Sequence, residues 1–208
     1  MSSSHEYGID LPNGSTITHG VGANIKHPFK DVPVVMHEFD PGTRSFKGQL
    51  GFIEFSTEYR LPRHVHIAPP ESTADRRFIC ERIVVLEGVA LVELNGEIYV
   101  IPPNSLVTIG PGVPHTWTAC PPGVTIAEGT LKLVSEGKFL MLYEYEEPTA
   151  FFPTRQIETM KNVDEYERCD DLESIRIPKL SAQDVHERCW FAWDRMLTRR
   201  SADGRSQE

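Results

Sequence analysis

At 208 residues, with 39% apolar and 25% charged residues, the chain has the size and composition of one globular domain with appended segments. A formal net charge of −9 argues against a nucleic-acid backbone as the main partner. No apolar run approaches the ~18 residues of a membrane-spanning helix, and Met1–Tyr7 lacks the basic and apolar regions of a secretory signal, so a cytoplasmic protein without a membrane partner is expected.

In chain order, residues 1–31 are rich in Ser, Gly, His and Asn and show little periodicity. Ser15–Thr18 and Val34–Phe39 read as short strands added to a sheet edge, and residues 1–44 as an N-terminal extension. Asp40-Pro41-Gly42 is a turn. Gln49–Tyr59 alternates and reads as a strand, and Leu61-Pro62-Arg63 as a bend, because proline cannot donate to a central ladder. Residues 67–80 form an insertion stiffened by Pro69-Pro70, read either as a lid or as a plain surface loop.

Arg82–Glu87, Ala90–Leu94, Glu97–Ile101, Ser105–Ile109 and His115–Ala119 read as successive strands, with Asn95-Gly96 the strongest two-residue hairpin signal. Val124–Val134 and Phe139–Tyr145 supply two more. Short strands at regular spacing with Gly/Pro turns predict a sandwich or closed barrel over residues 45–147. Residues 148–208 form a C-terminal segment, in which Phe151-Phe152-Pro153 is expected to fold back over the barrel. Ser181 reads as the cap of a helix over about 182–198, and Ser201–Glu208 as a disordered polar tail. Cys80, Cys120, Cys169 and Cys189 show no C-x-x-C spacing and are expected as reduced thiols, with a Cys80–Cys120 bridge as the alternative.

The chemistry concentrates between His64 and His115. His64 and His66 stand two apart, which on a strand puts both imidazoles on one face. Glu81 follows, then Gly88, and Gly110-Pro111-Gly112-Val113-Pro114-His115 adds a third imidazole. Three His and one carboxylate suit a borderline metal ion, although each His taken singly reads more often as a satisfied core residue. Trp117 shares a face with His115 and reads as a pocket wall or a core Trp. Phe139, Met141, Tyr143 and Tyr145 alternate with Leu140, Leu142 and Glu144, and parity alone leaves open which set faces inward. If the first set does, Met141 and Tyr143 line an apolar pocket suited to a ring-bearing substrate.

Arg60 and Arg63 flank the entry to His64 and are candidates for a substrate carboxylate or phenolate. Arg76 and Arg77 in the insertion read as solvated arginines, and Glu87 and Glu93 as strand-surface carboxylates. His5, His19, His27, His37 and His186 have no metal-like spacing. The sequence contains no phosphate-binding Gly-rich loop and no G-x-S-x-G elbow.

The stretch resembles the cupins, small β-barrel proteins whose metal ligands come from two short motifs. His64, His66, Glu81 and Gly88 stand where the first motif has His-x-His, Glu and a Gly seven residues past it. Gly112 and His115 match the second, Pro-x-Gly-x-x-His, in which Gly110 replaces the Pro, and Ala119 stands where an Asn is usual. Residues 67–80 separate His66 from Glu81, where the family has only a few. Glu71 lies nearer the usual spacing, but no correctly placed Gly follows it, and Glu81 is preferred.

The resemblance covers roughly residues 45–145 and implies an all-β, cupin-type jelly-roll β-barrel, here with an N-terminal strand extension and a C-terminal helix. It further implies a divalent transition metal held by His64, His66, Glu81 and His115, with Fe(II) favoured and Mn(II), Zn(II), Ni(II) or Cu(II) as alternatives. The expected function is a metal-dependent oxidoreductase, a dioxygenase acting on a small aromatic or polyketide-like compound of secondary metabolism. The first alternative is a redox-neutral lyase, isomerase or cyclase in which the metal is a Lewis acid and Glu81 moves protons. The second is a ligand-binding cupin without turnover. Arg60, Arg63, Trp117, Met141 and Tyr143 are the substrate-binding candidates. A homodimer is expected, with the Val185–Met196 helix either at its interface or clamped on the barrel, and with the strands within residues 15–39 as the other candidate for the interface.

Overall fold

The computed structural model describes residues 8–27, 35–39, 46–68, 76–128, 131–200 and 206–207. In chain order these form β1 (Ile9–Asp10), β2 (Thr16–His19), β3 (Asn24–Lys26), β4 (Met36–Glu38), β5 (Leu50–Ser56), β6 (His64–Ile67), β7 (Glu81–Gly88), β8 (Ala90–Leu94), β9 (Glu97–Ile101), β10 (Ser105–Ile109) and β11 (His115–Ala119). They continue with β12 (Thr125–Glu128), β13 (Leu131–Val134), β14 (Lys138–Tyr145), β15 (Ala150–Pro153), α1 (Ala182–Arg188), β16 (Trp190–Trp193), β17 (Met196–Arg200) and β18 (Ser206–Gln207). No helix among the described residues is long and apolar enough to cross a membrane.

Two sheets face one another. One has the order β1-β2-β10-β7-β14-β5, the other β15-β6-β11-β8-β9-β16-β17-β18. Alternation along each strand decides what lies between them. From the first sheet come Ile83 and Val85 of β7, Val107 of β10, and Phe139 and Met141 of β14. Val92 and Leu94 of β8, Ile101 of β9 and Trp117 of β11 meet them from the second. The inward set on β14 is therefore Phe139, Met141, Tyr143 and Tyr145, with a register shift at Leu140/Met141. The turn between β8 and β9 has Asn95 at φ 54° and Gly96 at φ 84°, the paired left-handed geometry that a tight hairpin needs.

The expected closed barrel is instead a sandwich. Among the described residues the sheets are not joined into one ring of strand pairs. Leu61-Pro62-Arg63 carries the chain from β5 in one sheet to β6 in the other, and isolated bridges (Arg60 with Thr118, Pro62 with Arg176) replace a ladder there. The reason is the lost N–H of Pro62 and the bend around it. At Gly88, φ +73° and the Lys138 carbonyl, which an added Cβ would strike, both require glycine where β7 ends.

The C-terminal part forms a third layer. Val163 and Tyr166 pack on Val65 and Ile67, and Val185 and Cys189 pack on Val89, Leu91, Val100 and Cys120. This layer corrects two expectations. Glu93, expected on the surface, is only 5% exposed because the layer covers its face of β8. The helix expected to run to about 198 ends at Arg188. Trp190 and Phe191 then pair in parallel with Tyr99 and Val100, and β16 turns back into β17 through Asp194 at φ 53°. The free edge of β9 offers these aromatic residues a ladder, which outweighs the local helical pattern.

At the N-terminus β2 adds to β10 at the sheet edge as expected, whereas β4 pairs with β3 in a separate hairpin. Val124–Val134, expected as one strand, is the β12–β13 hairpin. Ser206–Gln207 of the expected disordered tail pairs with Arg199–Arg200. All four cysteines are buried, and none is in a disulfide.

Candidate metal centre

The ladder of the eight-stranded sheet brings the histidines together. His115 opens β11 directly opposite His64 on β6, and His66 follows His64 on the same face, so all three imidazoles point between the sheets. One ligand-type atom from each lies within 4.8 Å of the others. Glu81 comes from the facing sheet, where it opens β7. Its Oε2 lies 3.3 Å from His66 Nε2 and 3.1 Å from His115 Nε2. All four side chains are 4% exposed or less.

Two of the rings are held in a metal-ready tautomer. His64 Nδ1 lies 2.7 Å from the Pro62 carbonyl and His115 Nδ1 lies 2.8 Å from the Val113 carbonyl. Each Nδ1–H donates to its carbonyl, and the Nε2 lone pair is left facing inward. Beyond their approach to one another, His66 Nε2, His115 Nε2 and Glu81 Oε2 are buried without a well-aligned hydrogen bond among the described residues. Buried polar atoms are otherwise nearly always satisfied, and orphaning them costs about 1–3 kcal/mol each. A cation at their meeting point would satisfy all of them, so the residues fit a divalent transition metal.

The electrostatics agree with that donor set. Burial, then the neighbouring His115 and His66, hold the His64 imidazole well below its usual range, so it stays neutral near pH 7. Burial also lowers His66, against the pull of Glu81. Burial alone would raise the Glu81 carboxyl, but His66 and His115 outweigh it and hold the group well below the usual carboxylate range. Neutral imidazoles and an ionised carboxylate are the forms that ligate.

This is a two-sheet β-sandwich that places three imidazoles and one carboxylate between its layers. The second motif's glycine has a physical reason as well: Gly112 sits at φ +74° with the Phe78 ring where a Cβ would go, and its carbonyl accepts from the Tyr166 hydroxyl at 2.5 Å.

The other candidates fare differently. Trp117 and Met141 face inward but are 0% and 2% exposed in the packed core, so neither offers surface to a ligand. Tyr143 faces inward beside Tyr145, is part-exposed, and its hydroxyl has no hydrogen-bond partner among the described residues. Arg60 donates to the Ile177 carbonyl at 2.6 Å and to Glu173 at 2.8 Å. Arg63 Nε donates to Glu93 at 2.5 Å. Arg63 Nη1 also donates to the Arg155 carbonyl at 3.3 Å, so both guanidiniums are tied to the third layer. Arg76 and Arg77 pair with Asp164 and Glu147. Residues 69–75, which include Glu71 and the middle of the suspected lid, lie outside the described residues.

Two site residues escaped the sequence reading. Tyr145 stands opposite Glu81 across β14 and β7 and packs on His66 with ring centroids 4.6 Å apart. Burial first, and then the Glu81 charge, push its hydroxyl above the usual phenol range, so it keeps its proton. The alternation along β14 already contained Tyr145, and only the facing direction was missing. Phe151 pairs with His66 across β15 and β6 and packs on His64 and His66, at 4.6 and 5.0 Å. Phe151-Phe152-Pro153 folds back as expected, with β15 on β6, but nothing in the sequence marks Phe151 as a residue of the site.

No protein-family model and no curated protein sequence matches the chain. Among solved structures, the chain is similar to a dTDP sugar isomerase from Desulfovibrio desulfuricans G20, 16% identical over 82% of this chain and 91% of that one, with a TM-score of 0.42. It is similar to a dTDP-6-deoxy-D-glucose-3,5-epimerase from Legionella pneumophila Philadelphia 1, 12% identical over 81% and 87%, with a TM-score of 0.44. A cupin 2 domain-containing protein from Halorhodospira halophila is 14% identical over 59% and 57%, with a TM-score of 0.30. All three scores are low, and at such distance the likeness assigns no substrate or chemistry to this chain.

Proposed function

We propose that the chain is a metal-dependent, redox-neutral enzyme, an isomerase or lyase that acts in the cytoplasm on a small molecule bearing a carbonyl or hydroxyl oxygen. One observation carries the reading: Nε2 of His66 and Nε2 of His115 converge on Glu81 Oε2 at 3.3 and 3.1 Å, all three buried and, among the described residues, without a well-aligned hydrogen bond. A metal held there by His64, His66, Glu81 and His115 would supply Lewis acidity toward a bound oxygen. Zn(II), Mn(II), Fe(II), Ni(II) and Cu(II) all suit three imidazoles and a carboxylate.

The chain's own groups favour proton transfer. Tyr145, which keeps its proton, stands opposite Glu81, which stays ionised, so an acid and a base stand side by side at the site. The unpartnered hydroxyl of Tyr143 is the group to hydrogen-bond a substrate oxygen. The packed centre around Trp117 and Met141 keeps bulk water out from behind.

The second reading is the dioxygenase, with Fe(II) and an aromatic or polyketide-like substrate. The rings of Phe151, Tyr143 and Tyr145 around the donors favour it, because they suit a planar ligand.

Protein purified without chelator is expected to contain about one divalent transition metal ion per chain by mass spectrometry. Turnover of small carbonyl compounds under argon supports the redox-neutral reading. Turnover that needs stoichiometric oxygen uptake transfers it to the dioxygenase, and bound metal with no turnover on either panel leaves a ligand-binding protein. Glu81→Gln keeps the shape and removes the charge, so it is expected to weaken metal binding by at least about tenfold and to abolish turnover. Retention of both would remove Glu81 from the site.

A homodimer remains part of the proposal, although the helix on which that expectation leaned is short and packed within its own chain. Light scattering at micromolar concentration is expected to give twice the 23.5 kDa chain mass, and one species near the chain mass would reject it.

A further inference from the structure

We infer that Phe151 controls passage between solvent and the donor cluster, and so limits the size of any ligand that reaches it. The inference rests on the functional reading above for the nature of the ligand, but its geometry stands alone. His64, His66, Glu81 and His115 are all nearly inaccessible, at 2%, 2%, 4% and 1% exposure. Nothing of ligand size reaches them unless a neighbour moves. Two aromatic rings from outside the donor set pack on the histidines, and their exposures differ sharply: Tyr145 is 4% exposed and Phe151 is 51% exposed.

Their anchoring differs too. Tyr145 lies on β14, which is laddered on both sides to β7 and β5. Moving it would break contacts with both neighbours. Phe151 lies on β15, a four-residue edge strand whose only sheet neighbour among the described residues is β6. One face of its ring covers two imidazoles and the rest meets solvent. Swinging it outward about its side-chain torsion gives up its ring contacts with His64 and His66 and needs no backbone hydrogen bond to break. Side-chain rotation at an exposed edge is the least costly opening available to a buried site. The next residue, Phe152, points the other way and packs in the cluster around Val65, so it keeps the strand in place while Phe151 moves.

The test uses the metal-stripped full chain and diethyl pyrocarbonate, which modifies unprotonated imidazole nitrogen. Peptide mass spectrometry reads the rates at His64 and His66, with the exposed His27 as internal reference. Phe151→Ala is expected to raise the His64 and His66 rates about tenfold relative to His27. Phe151→Trp, which enlarges the cover, is expected to slow them below wild type. A destabilised Ala variant would also expose its histidines, so the Trp variant decides. Labelling of Phe151→Trp at the wild-type rate overturns the inference whatever the Ala variant does. In parallel, zinc-loaded protein is challenged with excess chelator, and release is expected to be faster in Phe151→Ala and slower in Phe151→Trp. Identical release from all three overturns the inference. Failure of the wild-type chain to take up zinc, or any other divalent transition metal, refutes the metal reading instead, while the labelling rates still decide the role of Phe151.

Discussion

His66→Ala is expected to lower metal affinity by more than about 100-fold while leaving a folded β protein. The loss of a group that merely orients a ligand costs about 10–100-fold, and the loss of a ligand itself costs more. His66 is the most informative of the four positions because, among the described residues, neither of its ring nitrogens makes a well-aligned hydrogen bond, and its Nε2 approaches only the fellow donor Glu81. His64 and His115 each brace a backbone carbonyl, so their removal would disturb local structure as well. His66 therefore contributes little to the metal-free fold through hydrogen bonding. Metal content by mass spectrometry, with far-ultraviolet circular dichroism as the control for folding, measures the effect. Full occupancy in the variant would show that the histidines are a buried polar cluster and not a metal centre.

Trp117→Ala is expected to cost about 3–5 kcal/mol, the range for deleting a large buried aromatic side chain. Trp117 is fully buried where the two sheets meet, with the Phe139 ring centroid 6.3 Å away. Its indole nitrogen has no partner, so the residue acts as apolar bulk and not as a polar anchor. The conservative Trp117→Phe removes no hydrogen bond and leaves a smaller void, so a cost of about 1–2 kcal/mol is expected. Domains of this size have about 5–15 kcal/mol in hand, so the Ala variant should lose a large part of its stability. Urea unfolding of chelator-treated proteins separates this from any metal effect. Equal midpoints for Trp117→Ala and wild type would mean that the centre of the sandwich is not packed as described.

Much of the sandwich could be read in advance where the local signal and the global fold agree. Ala90–Leu94, Glu97–Ile101, Ser105–Ile109 and His115–Ala119 have the same bounds in the sequence reading and in the structure. There, alternation, β-branched residues and the Asn95-Gly96 turn all point to the same strands. The proximity of His64, His66 and His115 was likewise legible, because two strands carry them and both carry them inward. The direction of β14 was not, since a single register shift at Leu140/Met141 changes which residues oppose each other and leaves no mark in the residue pattern.

The third layer was also hidden. Residues 154–180 contain two short 3₁₀ turns and no repeating apolar period. Their packing on Val65, Ile67 and Glu93 could not be inferred, and so Arg63 read as a substrate group instead of the partner of Glu93. Trp190–Arg200 misled for the opposite reason. A correctly read cap at Ser181 started a real helix, but the edge of β9, distant in sequence, decided where it stopped.

Three donors ride on one sheet and the fourth on the facing sheet. An ion bound by all four is therefore a rivet through two layers that otherwise adhere only by side-chain packing. Its binding energy becomes cohesion between the layers: at 100 times the dissociation constant it adds about 2.7 kcal/mol to the folded state. Scarcity of the ion would loosen the sandwich at the same end that must open to ligands. In a cell, the lifetime of this protein against proteolysis would then track the supply of its metal, and unloaded copies would be cleared first.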